Sequence, residues 1–310
     1  MRGKLLGVVL LVMIGMSANA QQDGTYTQYM FTPFSYNPGS VGSDGLAHVF
    51  GYGRFHHQGL DSKSRQASAG FNLPFNISKV KNGFGILISD DKFALSKNLT
   101  VKGNYAVQLG LDDKGINKLG IGVGFGAING VFDPSKKSNT TNQANLPSTK
   151  ADATVFDINA GLFFTSSKLY CGISVAHINQ PTLKLDNVTI KMKPTMYVTS
   201  GYLLPLGDSK FSFYPSFLVQ TEFSSTLLSV SSLFDYNGKV WAGASYRIND
   251  AVSGIVGFKL FKSIQIGYSY DYITSKLGEF SSGSHEVFLN YSFSLKRDRT
   301  PSSYKSIRFL

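Results

Sequence analysis

The chain repeats one pattern from His48 to Leu295, in segments of about ten residues where apolar side chains alternate with small or polar ones. Between residues 101 and 109, one parity holds Val, Gly, Tyr, Val and Leu, and the other holds Lys, Asn, Ala and Gln. Residues 156–165 and 264–272 alternate in the same way. Because successive side chains of a strand point to opposite faces, the pattern predicts strands with one apolar and one wet face. Repeated, aromatic-rich strands of this kind are typical of a transmembrane antiparallel outer-membrane β-barrel.

The same alternation predicts where the strands lie. It gives about fourteen, and an even number is the rule for single-chain bacterial outer-membrane barrels. The fold class is therefore all-β. The predicted strand ranges are 47–55, 65–75, 83–90, 98–109, 118–131, 153–165, 168–178, 194–204, 210–220, 226–236, 239–247, 252–260, 263–272 and 284–295.

The predicted connections differ in length. Those after even-numbered strands are mostly short, such as Ser166-Ser167 and Asn237-Gly238, and Asn-Gly is a strong hairpin signal. Those after odd-numbered strands include the long segments 132–152, 179–193 and 273–283. Short periplasmic turns and long extracellular loops are typical of outer-membrane barrels, so we expect both termini in the periplasm. A soluble secreted β-sandwich, the alternative all-β fold, has no reason to sort its loops in this way.

The N-terminus has the features of a secretory signal peptide. Arg2 and Lys4 precede an apolar stretch at 5–16, and Ala18-Asn19-Ala20 is a small-x-small cleavage sequence. No later apolar stretch approaches a spanning helix, so a closed barrel is the remaining membrane structure. The expected parts are a signal peptide at 1–20, an N-terminal segment at 21–46, a barrel at 47–295 and a basic periplasmic tail at 296–310.

Residues 21–46 lack the strand pattern. They hold Pro33, Pro38 and several aromatic residues, which is too aromatic a composition for a disordered leader. We expect this segment to pack on or in the barrel, partly inside the lumen or across its periplasmic mouth. Glycines at 120, 122, 124 and 126 share one face of a predicted strand, where they would line a crowded lumen or permit curvature.

The net charge of +11 does not predict nucleic-acid binding. The basic residues are scattered over predicted turns, and export separates the protein from nucleic acid. Contact with anionic lipid headgroups or with an acidic partner is the expected use of this charge. The single cysteine, Cys171, lies on an apolar parity and is expected to be packed or lipid-facing.

The sequence gives little support for catalysis. His56 and His57 are adjacent, as are His285 and Glu286, so the members of each pair point to opposite faces of a strand. An outer-membrane lipase or protease would need a nucleophile and a base on one rim, and no Gly-x-Ser-x-Gly, His-Glu-x-x-His or Cys-x-x-Cys motif occurs. We expect no enzyme activity, cofactor or metal site. Structural or loop roles are expected for His48, His56, His57, His177 and His285.

Short motifs follow one another along the predicted mature chain. Tyr29-Met30-Phe31 and Tyr36-Asn37-Pro38-Gly39 lie near its start, and Trp241-Ala242-Gly243-Ala244-Ser245-Tyr246-Arg247 lies in a late strand. Gln265-Ile266-Gly267-Tyr268-Ser269-Tyr270-Asp271-Tyr272 and Ser282-Gly283-Ser284-His285-Glu286 come next. With Ser306-Ile307-Arg308-Phe309 at the end, these motifs resemble the PorP/SprF family, whose strands carry W-x-G-x-S-Y-R, I-G-Y-x-Y-D and S-G-S-H-E patterns.

The resemblance implies a set of residues for structure or partner contact. One stretch departs from the family, which often has Arg-x-Gln-Trp in its first strand region. Here Arg54-Phe55-His56-His57-Gln58-Gly59 keeps the Arg and a Gln but lacks the Trp. The implied residues are Tyr29, Asn37, Pro38, Arg54, Trp241, Tyr246, Arg247, Tyr270, Asp271, His285 and Glu286.

The resemblance also implies a role without catalysis. PorP/SprF proteins are outer-membrane proteins of Bacteroidota associated with the type IX secretion system. They assist the secretion or surface attachment of large cargo proteins with a C-terminal signal domain, including gliding adhesins. The implied partners are such cargo and periplasmic ring or peptidoglycan-binding components. The alternative function is a channel or transporter for small or hydrophobic solutes, against which stands a crowded polar parity with Phe163, Tyr170, Tyr197, Trp241 and Phe288.

Overall fold

The computed structural model describes residues 23–56, 58, 64–134, 149–207, 209–279 and 281–295. The predicted signal peptide, His57 and the basic tail lie outside these residues. Within them no helix is long and apolar enough to cross a membrane. The strands are β1 (Ala47–Phe55), β2 (Arg65–Ile77), β3 (Val80–Phe93), β4 (Ser96–Gly110), β5 (Lys118–Phe132), β6 (Ala151–Thr165), β7 (Leu169–Ala176), β8 (Thr182–Leu185), β9 (Val188–Lys191), β10 (Thr195–Tyr202), β11 (Leu204–Pro205), β12 (Phe211–Thr221), β13 (Thr226–Tyr236), β14 (Val240–Arg247), β15 (Ala251–Leu260), β16 (Ile264–Ile273) and β17 (Ser284–Phe293).

Fourteen of these strands form one closed antiparallel barrel. β1 pairs with β17, residues 47–55 against 293–285, and this pairing closes the sheet. β10 pairs with both β7 and β12. The separate hairpin β8–β9 and the two-residue β11 are therefore not strands of the barrel wall. Closure satisfies the backbone groups that an open edge would leave bare in lipid. The predicted fold class and strand number are confirmed.

The two faces of the wall have opposite character. Outward side chains such as Val101, Phe125 and Leu289 are large, apolar and exposed, whereas inward ones such as Gln108 and Gln265 are polar and buried. In residues 101–109, 156–165 and 264–272, the side chains face the sides of the sheet that their alternation predicts. An apolar outer belt around a polar interior is the arrangement of an outer-membrane barrel, so the soluble β-sandwich is wrong.

The barrel has two different mouths. At the short-turn mouth, β2 joins β3 through residues 78–79. At the long-loop mouth, β5 joins β6 across 133–150 and β7 joins β10 across 177–194. The predicted sorting of connections holds for these segments but is incomplete, because β3 joins β4 through only 94–95 at the long-loop mouth.

The hairpin β8–β9 is an element that the sequence analysis missed, since 179–193 was treated there as a loop. Leu183 and Leu185 pack against Phe132 and the inward-facing Ala151 and Ala153. The hairpin therefore folds onto the inner face of β5 and β6 at the long-loop mouth. Its strands have four residues each, which is too short for their alternation to stand out.

The N-terminal segment, here residues 23–46, occupies the lumen. It forms three single-turn 3-10 helices at Tyr29–Phe31, Pro33–Ser35 and Pro38–Ser40. The prolines at the first positions of two of these turns lack an N–H group for a sheet ladder, so they favour turns over a strand. This confirms the expectation of a non-strand segment packed in the barrel.

The segment runs through the barrel from mouth to mouth. Near its start, Thr27 bonds Asp271 and Glu286, which lie at the long-loop end of β16 and β17. Near its end, Asp44 bonds His48 at the beginning of β1, at the short-turn mouth. The first described residues therefore lie at the long-loop mouth, and β17 ends at the short-turn mouth. Both termini were expected at the short-turn mouth. For the N-terminal end of the described residues this expectation is wrong, because the segment crosses the lumen before β1 begins.

Candidate functional site

Four charged side chains meet inside the lumen near the long-loop mouth. Arg54, Arg247, Asp271 and Glu286 come from β1, β14, β16 and β17, and we call them the charge cluster. Each has the inward parity of its strand, and each is between 0% and 3% exposed. All four belong to the set that the family motifs implied.

The charges of the cluster are paired with one another. Arg54 donates from Nη1 to Glu286 Oε2 at 2.8 Å and from Nη2 to Asp271 Oδ2 at 2.5 Å. Arg247 Nη2 lies 3.6 Å from Asp271 Oδ2, and its Nη1 donates to Asp250 Oδ2 at 2.7 Å. A buried charge is tolerated only with such partners, because its loss of hydration is costly.

The charge cluster binds the N-terminal segment at Thr27 and Gln28 through hydrogen bonds. The two oxygens of Glu286 accept the N–H groups of Thr27 and Gln28, each at 2.8 Å. The Thr27 hydroxyl donates to Asp271 at 2.9 Å and accepts from Arg54 at 2.8 Å. Arg247 also donates to this hydroxyl, at 2.9 Å. The ligand of the charge cluster is therefore the chain's own N-terminal segment.

A second anchor lies nearer the short-turn mouth and uses neutral groups. Asn37 donates from Nδ2 to the Leu162 carbonyl at 3.0 Å, and its Oδ1 accepts the Gly39 N–H at 2.9 Å. Gln108 Nε2 donates to the carbonyls of Gly39 and Val41 at 3.0 and 2.6 Å. The buried Pro38 fixes the turn between these contacts.

Alternate glycines of β5 allow the second anchor to form. A Cβ atom at Gly120 or Gly122 would collide with the backbone of Pro38 and Gly39. Because these are backbone atoms, no side-chain rotation relieves the collision. The predicted glycine-lined, crowded lumen is confirmed.

Aromatic side chains fill the space between the two anchors. The Phe31 ring lies 5.1 Å from Trp241 and 5.4 Å from Phe288. Tyr29 and Ser216 share a hydrogen bond of 3.1 Å between their hydroxyl groups. Trp241 and Phe288 have no exposed surface. Most of the residues implied by the family motifs thus act together, to hold this segment.

Three implied residues lie elsewhere. Tyr246, Tyr270 and His285 have the outward parity of their strands, and so face away from the described part of the N-terminal segment. Tyr270 donates to the Ser282 carbonyl at 2.7 Å, and His285 Nδ1 lies 2.7 Å from the Tyr268 hydroxyl. His285 and Glu286 do point to opposite faces, as predicted.

A third contact, which the sequence analysis missed, ties down the start of the segment. His177 Nε2 lies 2.9 Å from Asp23 Oδ1, and its Nδ1 lies 2.8 Å from Asp157 Oδ1. Tyr197 donates to Asp23 Oδ2 at 2.5 Å. Asp157 and Tyr197 have the inward parity, but no pattern in the sequence linked them to residue 23.

The two carboxylates control the charge of His177. Burial lowers the pKa of the ring, but the charge of Asp23 and the hydrogen bonds to both carboxylates outweigh it and raise the pKa to about 9. Burial likewise opposes charge on Asp23, yet His177 holds the pKa of Asp23 well below its usual range. The contact is therefore an ion pair at neutral pH.

The arrangement of these contacts anchors the N-terminal segment inside the barrel. Among the described residues there is no group of three or more His, Cys, Asp and Glu side chains that could hold a metal ion. The fold and this site define an outer-membrane β-barrel whose lumen is filled by its own N-terminal segment.

Comparison with known proteins places this barrel in a family. Residues 18–291 match the family described as type IX secretion system membrane protein PorP/SprF, so the chain belongs to that family. The resemblance seen in the sequence motifs is confirmed. No curated protein matches the sequence.

Solved structures show the same architecture at low sequence identity. The toluene transporter TbuX of Ralstonia pickettii is 12% identical with a TM-score of 0.50, over 86% of this chain and 93% of that chain. The CymD monoaromatic hydrocarbon channel is 11% identical with a TM-score of 0.49, over 90% and 96%. Omp33 of Acinetobacter baumannii is 9% identical with a TM-score of 0.46, over 80% and 97%. At this identity the likeness to TbuX supports the barrel fold alone.

Proposed function

We propose that this protein assists the secretion or surface attachment of large cargo proteins, such as gliding adhesins, through their C-terminal signal domain. It does so as a non-enzymatic barrel of the type IX secretion system in the outer membrane of a Bacteroidota cell, exported by a signal peptide at 1–20. Membership of the PorP/SprF family supports this role. The filled lumen carries the proposal, because a barrel occupied by its own chain is suited to scaffolding at its mouths rather than to solute passage.

A strand edge that no described strand covers gives the long-loop mouth a surface for cargo. β6 pairs with β5 along all of residues 151–165, but with β7 only along 160–165. Asn179 extends the ladder by two bonds, to the Ile158 N–H and the Phe156 carbonyl. Beyond it, no described strand pairs with this edge of β6 at 151–155. An unpaired edge above the membrane accepts an added strand through main-chain hydrogen bonds.

Other surfaces complete the proposed partner set. The outward Tyr246, Tyr270 and His285 are available to a neighbouring membrane or secretion subunit. The short-turn mouth, with the basic tail at 296–310, is the proposed face for periplasmic ring or peptidoglycan-binding components. Outer-membrane lipid surrounds the apolar belt.

The second candidate, a channel for small or hydrophobic solutes, has the likeness in fold to the toluene transporter TbuX in its favour. The N-terminal segment opposes it. Single-channel conductance of the purified protein separates the two functions, since a scaffold with a filled lumen conducts no steady ion current.

A pull-down tests the cargo role at the β6 edge. Tagged protein is solubilised in detergent from the outer membrane of its own cells, and bound proteins are identified by mass spectrometry. We expect a large surface protein with a type IX C-terminal domain. Thr154→Pro removes an N–H group of the free edge and should abolish recovery, whereas Thr154→Val keeps that group and should not. A solitary barrel that conducts ions would overturn the proposal.

A further inference from the structure

A cavity remains in the lumen between the N-terminal segment and the inner faces of β2 to β7, β10 and β12. It measures about 90 Å³, and Tyr26, Gln66, Asp91, Asn98 and Lys102 are among its lining residues. A water molecule takes up roughly 30 Å³ of liquid, so the cavity holds several small groups. It lies toward the long-loop mouth, because Asp91 is close to the end of β3.

Asp91 is a carboxylate without a counterion. Among the described residues no hydrogen bond or ion pair to it is found, and its charged neighbours Asp23 and Asp90 are both acidic. Two cations line the cavity, and both are engaged with other carboxylates. Lys102 lies 3.2 Å from Asp157, and His177 pairs with Asp23 and Asp157. A half-buried carboxylate without a counterion of its own is unfavourable, which makes this position attractive to a cation.

Neutral oxygen acceptors stand on both sides of Asp91. Gln66 lies opposite it on β2 and Asn98 opposite it on β4. Gln66 is 4% exposed, and its Oε1 atom has no hydrogen-bond partner. A buried acceptor without a donor costs free energy. Gln66 is therefore a second, independent indication that a donor binds in this cavity.

We propose that this cavity binds an organic cation, an alkylammonium group whose N–H donors bond Asp91, Gln66 and Asn98. The aromatic ring of Tyr26 also lines the cavity and favours an alkylammonium over a hydrated metal ion, because aromatic faces attract organic cations. The ammonium comes either from a free amine solute or from a lysine side chain of a bound partner. The inference does not depend on the proposed function.

Binding of n-butylammonium to the purified protein in detergent tests the proposal by isothermal titration calorimetry. The wild-type protein should bind it, and the uncharged isostere 1-butanol should not bind. Asp91→Asn should weaken binding by about tenfold or more, because it removes the charge and keeps the shape. Gln66→Leu should weaken it by a smaller factor. Asp91→Asn removes a charge that has no partner, so the variant should fold.

Asp90 provides the matched control. It directly precedes Asp91 in β3, faces outward and pairs with Arg65 and Lys97 at the surface. Asp90→Asn should leave the affinity for n-butylammonium unchanged. A peptide of the form acetyl-Gly-Lys-Gly-amide distinguishes the sources, since tighter binding than n-butylammonium assigns the site to a partner's lysine and weaker binding to a free amine. The proposal is overturned if n-butylammonium does not bind, or if Asp91→Asn and Asp90→Asn change its affinity equally. It is also overturned if 1-butanol binds as tightly as n-butylammonium.

Discussion

The two ends of the N-terminal segment are held by different chemistry. At the long-loop mouth, Thr27 is gripped by buried charges from four strands of one half of the barrel. Toward the short-turn mouth, Gly39 is held by amide hydrogen bonds and by glycines that let two backbones touch. The first end depends on charge balance and the second on the absence of side chains.

This difference shows how one segment is fixed in both position and direction. Charged groups discriminate strongly against a wrong partner, because a misplaced residue would leave buried ions unpaired. Glycine contacts discriminate by shape, because any added atom collides. Substitutions at the two ends should therefore destabilise the N-terminal segment in different ways.

The largest expected effect is at the charged end. Arg54→Leu leaves Asp271 and Glu286 buried without their main counterion, and should lower the free energy of unfolding by about 3–5 kcal/mol. Urea unfolding of the barrel in detergent measures this. Arg65→Leu, one strand away, removes an exposed guanidinium 3.8 Å from Asp90 and should cost less than about 1 kcal/mol. Equal losses in the two variants would mean that the charge cluster is not an anchor.

The glycine end should be next in size. Gly122→Val places a branched side chain against the backbone of Pro38 and Gly39, at a cost of about 1–3 kcal/mol. Hydrogen exchange should show residues 37–42 loosened while Thr27 stays protected. Gly254→Val is the control, because a Cβ at Gly254 meets no atom within 4 Å. A uniform loss of protection along the segment would show that the two ends are not independent.

A smaller effect is expected from Asn37→Ala. The change removes the acceptor of the Gly39 N–H and the donor to the Leu162 carbonyl, and should cost about 1–2 kcal/mol. Asn129→Ala removes an exposed bond to Thr154 and serves as the control. The urea midpoint of the first variant should fall and that of the second should stay; the reverse order would contradict the role given to Asn37.

The last expected effect concerns pH. The pKa of His177 is raised from 6.5 to about 9 in the folded protein, so its ion pair with Asp23 contributes fully below pH 6.5 and is lost as the pH rises through about 9. The urea midpoint should fall over this window, and His177→Gln should remove that part of the fall. Parallel pH profiles of the two proteins would rule out the contact as a stabilising ion pair.

Some of these features could be predicted from the sequence, and others could not. The barrel and the glycine face could be predicted because a period of two is visible within each strand. Arg54, Asp271 and Glu286 were selected through motif resemblance, but their convergence on Thr27 depends on closure of a sheet between residues more than two hundred positions apart. His177 and Asp23 were not connected, because nothing in the pattern showed that the N-terminal segment starts at the long-loop mouth.

The central claim is that residues 23–46 fill the lumen, and a cross-link tests it most directly. In a Cys171→Ser background, Phe31→Cys is combined with Phe288→Cys, whose aromatic rings in the wild type lie 5.4 Å apart. Outer membranes are treated with the thiol cross-linker dibromobimane. The control pairs Phe31→Cys with Leu289→Cys, the next residue of β17, which faces outward. We predict a cross-link in the first pair and none in the second; equal cross-linking of both pairs, or none in either, would contradict the account.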